Sequence, residues 1–249
     1  MRQLRSVGVQ VGKIIRRLAP QGNVGPDNAS LLTKALNAFA DRLSPWATAV
    51  TTRMQLQVGK YDRAAWIKLG ERMGMALGKE IRDAPTGQVL RDYLASQVQL
   101  ITSLPREAAE RVHKYTLQSL VGSMRAPEIA NEILQTGRVT QSRAMLIART
   151  EVARTASALT QSRALYVGSE GYIWRTSLDE QVRPSHRKME GKYVRWDSPP
   201  TLTDGTVTHA GQIYNCRCWP EPVMADEPMR QRRKSRAYTQ AELPFHPRH

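Results

Sequence analysis

The residues best equipped for chemistry gather late in the chain. Cys216 and Cys218 are its two cysteines, with Arg217 between them, and four of the five histidines lie at position 186 or beyond. Thiolates and imidazoles are the usual ligands of a tetrahedral zinc ion, so His186, His209, Cys216 and Cys218 make a candidate four-ligand structural site. A small module with a thin core gains folding free energy from such an ion. The competing reading makes both thiols small buried residues on either side of an outward Arg217. A disulfide between them would be strained.

A second chemistry would pair a cysteine or serine nucleophile with His186 and orient that imidazole through Asp179. No glycine-rich oxyanion loop or nucleophile elbow accompanies these residues. In the simpler account, Asp179, Arg183 and Asn215 satisfy polar groups that an irregular module would otherwise bury unpaired. Upstream, Glu151 and Arg154 are spaced to meet on one helix face, as a structural ion pair.

These residues need elements to hold them. The pattern reads as mainly α with a small α+β C-terminal module: an N-terminal multi-helix domain, a long helix, then short strands and loops. The expected divisions are 1–26, a basic helix and linker; 27–137, a helical domain; 138–224, the module; and 225–249, a basic tail. Within 1–18, Leu4, Val7, Val11, Ile14, Ile15 and Leu18 share one side. That face suits packing on its own domain, docking to a partner or lying on a membrane surface.

Helix starts are predicted at Asp27 or Asn28, at Ser44-Pro45, at Thr86, at Ser103 to Pro105 and at Pro127. A helix over 61–82 carries Gly70, Gly74 and Gly78, whose spacing suggests close helix packing. Gly137 is expected to close one helix, and Thr140 to open the long one ended by Gly168. After Gly171 the period changes: Tyr172, Trp174 and Thr176 alternate with Ile173, Arg175 and Ser177, a strand. Pro184 starts a short helix that Gly191 ends; 192–196 is a second short strand; 197–211 is loop. An extended segment over 213–219 is expected to stop at Pro220 and Pro222.

Charge is the other strong signal. A net +15 on 249 residues favours a polyanionic partner, without informing the fold. No nucleic-acid recognition motif is present, so contact with phosphates would be sequence-blind and salt-sensitive. Arg230, Arg232, Arg233, Lys234 and Arg236 in the tail are the expected polyanion contacts. No apolar run is long enough to span a bilayer, and the basic N-terminus does not read as a secretory signal. Two cysteines make no disulfide framework, which fits synthesis in a reducing compartment.

Taken in order, Arg149-Thr150-Glu151 with Arg154, Trp174 through Asp179, Arg183-Pro184-Ser185-His186, Gly191, and Asn215-Cys216-Arg217-Cys218 form a set. This set, over about 140–223, resembles the tailed-phage head morphogenesis family, the phage Mu F-like minor head proteins. The resemblance implies a non-enzymatic virion protein, made in the bacterial cytoplasm and built into the head. Its implied partners are portal or major capsid proteins and packaged double-stranded DNA. Many relatives carry cysteines on the turn where this chain has Arg183 and His186, and these are missing here. The reading from another class is a metal-dependent enzyme or effector on the same module.

Overall fold

The computed structural model describes residues 2–22, 26–72, 77–120 and 126–224. Six helices come first: α1 Arg2–Leu18, α2 Pro26–Arg42, α3 Ser44–Arg72, α4 Gly78–Asp83, α5 Thr86–Leu120 and α6 Ala126–Tyr166. Then follow β1 Gly171–Thr176, the short α7 Pro184–Arg187, β2 Tyr193–Arg195 and β3 Cys218–Val223. The mainly helical chain with a small strand-bearing C-terminal part is therefore as expected.

The chain forms two compact units that cut across the linear divisions 1–26, 27–137, 138–224 and 225–249. One is Met1–Thr52 with Leu94–Ala148; the other is Arg53–Tyr93 with the chain from Arg149 onward. The physical reason is helix length, because α3, α5 and α6 each run from one unit into the other.

In the first unit, Leu4 and Val7 of α1 pack with Leu43, Ala47, Ile101, Leu104 and Ala144, all buried. Val11 and Ile15 join Leu32, Leu36, Val112, Ile129 and Ile133 in a second apolar cluster. The apolar side of α1 is thus covered within its own unit, while Arg5, Lys13, Arg16 and Arg17 are exposed. Of the three roles open to that helix, packing on its own domain is the one adopted.

Several expected breaks fall inside continuous helices. Pro105 lies within α5; the lone ladder bond it forfeits is outweighed by burial of Ile101, Leu104, Ala108 and Val112 around it. Gly137 and Thr140 lie within α6. A methyl group on Gly137 would sit 2.8 Å from the Gly12 backbone, so this glycine serves a close crossing of α1 and α6. Thr140 donates back to the Thr136 carbonyl at 2.8 Å instead of capping. In α4, Gly78 meets only the tip of Arg82, no close helix crossing, and Gly74 lies outside the described residues.

The second unit is built around Trp66, Ile81, Tyr172, Trp174, Val194, Trp196, Leu202 and the two cysteines. Gly168, at φ +80, ends α6 as expected, with the Ser169 N–H reaching back to the Ala164 carbonyl at 2.8 Å. The antiparallel sheet has the order β2-β1-β3. Strand β3 does not stop at Pro220 and Pro222 but runs through both, opposite Trp174 and Tyr172. Those two positions share one parity on an edge strand, so their missing N–H groups cost no ladder bond.

Candidate functional site

Strand β1 sends Trp174 into the core, fully buried. The chain then turns through Leu178, at φ +57, into α7, where Pro184 at the first turn presets the backbone. Ser185 and His186 of α7 are buried. Gly191, at φ +75, reverses the chain toward β2, and its N–H donates to the Trp174 carbonyl at 2.9 Å. Cys218 opens β3 opposite Thr176. This path sets the α7 imidazole against the first residue of β3.

The Nδ1 atom of His186 lies 3.3 Å from Cys218 Sγ and 3.5 Å from Cys216 Sγ. All three residues are buried and their ligand atoms lie within 4.8 Å of one another. The Cys218 thiol, hydrogen-bonded to Cys216, pulls Cys216 well below the ordinary thiol range, assisted by His186. Cys218 moves the other way, raised by that bond and by burial. Nε2 of His186 has no hydrogen-bond partner, and the ring stands edge-on to the Trp174 indole at 5.5 Å.

His209 does not join this cluster. Its Nδ1 lies 3.1 Å from the Tyr172 hydroxyl, because the 197–211 loop folds back beside the outer part of β1. That hydroxyl accepts the Ala210 N–H at 3.1 Å, leaving its own proton for the imidazole. Burial lowers the pKa of His209 and raises that of Tyr172. The four-ligand set read from the sequence becomes a set of three.

Asp179 does not orient His186 either. Its carboxylate accepts from the Arg217 guanidinium and from the Gln181 N–H at 2.9 Å. Arg183 donates to the Tyr214 carbonyl at 3.0 Å and stacks over that ring. Asn215, at φ +50, donates its backbone N–H to Thr150 Oγ1 at 3.0 Å. Glu151 and Arg154 pair at 3.1 Å, with the guanidinium also over Tyr93. Arg149 Nε is buried without a partner. The tail residues Arg230, Arg232, Arg233, Lys234 and Arg236 lie outside the described residues.

Other members of this network were not legible beforehand. Arg175 pairs with Glu221 at 2.5 Å and Glu190 at 3.4 Å, and Glu190 also accepts the Thr176 N–H. Ser157 donates to the Ala210 carbonyl at 2.6 Å. Ser185 donates to Asp204 at 2.7 Å. The one usable signal was strand parity: with Trp174 inward, Arg175 must find acids on the opposite face.

The family model described as Phage Mu protein F like protein matches residues 110–220, and this part of the chain is similar to that family. The match starts within α5, further upstream than the motifs alone reached.

Among particular relatives, an uncharacterized protein of Haemophilus influenzae is 34% identical over 157 residues, covering 63% of this chain and 34% of that protein. Minor head protein GP7 of Bacillus phage SPP1 is 25% identical over 183 residues, 65% of this chain and 56% of its own length. The chain thus spans about a third of the first relative and just over half of the second. No solved structure matches. No described helix is long and apolar enough to cross a membrane.

Proposed function

We propose that this chain is a non-enzymatic minor head protein of a tailed bacteriophage, acting in head assembly near the portal and touching packaged DNA. The observation that carries the reading is the family match over 110–220, seconded by similarity to a protein named as a minor head protein. Portal or major capsid proteins are its proposed protein partners, and the virion head its location. Synthesis in the host bacterial cytoplasm goes with that role.

The DNA part rests on charge. The net +15 and the exposed cations along α1 suit phosphate contact, which releases counterions and weakens as salt rises. In the first unit, Arg16 and Arg138 line one shallow hollow with Gly12 and Pro20, a further place for a phosphate oxygen. The purified protein should retain duplex DNA of any sequence at low salt and release it progressively with salt. Retention that ignores salt, or no retention at all, contradicts this part.

A metal-dependent enzyme or effector is the other reading. It is the less favoured because Asp179 is committed to Arg217 and because the His186–cysteine cluster is buried, leaving a nucleophile there without an orienting acid.

A further inference from the structure

We propose that His186, Cys216 and Cys218 bind a single zinc ion, which ties α7 to the start of β3. This inference does not depend on the chain being a head protein.

The first ground is stoichiometric. Both sulfurs lie within hydrogen-bond range of the same nitrogen, His186 Nδ1. A ring nitrogen has one proton or one lone pair to offer, so it can serve only one of the two sulfurs at a time. A cation between the three atoms satisfies all of them at once.

The second ground is metric. Zinc–sulfur bonds of about 2.3 Å and zinc–nitrogen bonds of about 2.0 to 2.1 Å at a tetrahedral angle place S and N roughly 3.6 Å apart. The two observed separations are 3.3 Å and 3.5 Å. The site is therefore close to a zinc-ready geometry, needing only a small opening of the cluster. The donor set of two thiolates and one imidazole selects a thiophilic ion of tetrahedral habit, which is zinc rather than magnesium or calcium. Water takes the fourth position. His209 is not needed, being engaged with Tyr172.

The third ground is where the ligands come from. His186 stands 30 residues before Cys216 and 32 before Cys218, across two turns and a long loop with little regular structure. An ion joining these points binds only once that loop has folded, so its binding free energy adds to the free energy of folding.

The test uses the full-length, tag-free protein, purified under reducing conditions from cells supplied with zinc. Metal content by plasma mass spectrometry should be about one zinc per chain. It should fall at least tenfold in C218S and stay unchanged in H209A. X-ray absorption of the unaltered protein should show two sulfurs near 2.3 Å with nitrogen or oxygen completing the shell. This readout keeps the proposal testable should the cysteine variant fail to fold. Protein that holds no stoichiometric zinc when it is offered, or zinc with a sulfur-free shell, overturns the site. Loss of zinc in H209A as in C218S would overturn the three-ligand assignment.

Discussion

The two units of this molecule solve the same problem with different chemistry. In the first, most buried side chains are aliphatic and the buried polar ones, such as Thr51, Gln97 and Thr140, are uncharged, and helices approach through glycine, as where Gly12 meets Gly137. Its ion pairs, Arg106–Asp41 and Arg143–Glu107, lie toward solvent. In the second, polarity goes inside. Arg163 and Asp62 pair at 2.5 Å with side chains only 3% and 1% exposed, and the same guanidinium donates to the Ile81 carbonyl. Burial pushes the Asp62 carboxyl up while Arg163 opposes it. Long helices satisfy their own backbone and leave only apolar faces to cover. Short strands and loops leave polar groups that side chains must meet, and a unit built from them accepts buried charge for that reason.

The largest effect that would break this contrast is at Asp62. Asp62→Ala strands a buried guanidinium and should cost about 3 to 5 kcal/mol, read as a shift of the denaturant midpoint. Arg106→Ala in the first unit should cost less than about 1 kcal/mol. Equal losses would erase the distinction between the units.

Next in size is the glycine crossing. Gly137→Ala gains about 1 kcal/mol in helix propensity, yet its methyl meets the Gly12 backbone at 2.8 Å. The net should be a loss of about 1 to 3 kcal/mol from overpacking. Gly59 in α3 has nothing within 4 Å of such a methyl, so Gly59→Ala should stabilise by up to about 1 kcal/mol. Thermal unfolding of both variants would show opposite signs; the same sign in both would mean that contact at Gly137 is not what matters.

The smallest effect sharpens the picture of the second unit. Burial holds the folded-state pKa of His209 below its ordinary 6.5. Below that pH the unfolded chain takes up a proton that the folded chain refuses. The stability this neutral imidazole contributes is thus complete above pH 6.5 and is lost as pH falls below it. His209→Gln should flatten the difference in stability between pH 7 and pH 5; an unchanged slope would show that His209 is not held neutral.

How far the sequence reveals this structure follows the same divide. Alternation from Tyr172 to Thr176, and the glycines at 168 and 191, announce their strand and turns because the cause is local. Pro105, Gly137 and Thr140 read as helix breaks, but buried neighbours carry the helices through them. Pro220 and Pro222 read as a strand end, and only the edge position of β3 makes them harmless. At the site, His186 and the cysteines were recognisable by residue type. The engagement of His209 with Tyr172 and of Asp179 with Arg217 was not, since both depend on how loops fold back. Asp62 and Arg163 stand 101 residues apart and leave no sequence signature at all.

The claim on which the functional account turns is membership of a phage head, and the particle itself tests it most directly. Quantitative mass spectrometry of purified, DNA-filled heads should find this chain in every preparation, in far fewer copies than the major capsid protein. A chain abundant in infected cells yet absent from those heads would contradict the account.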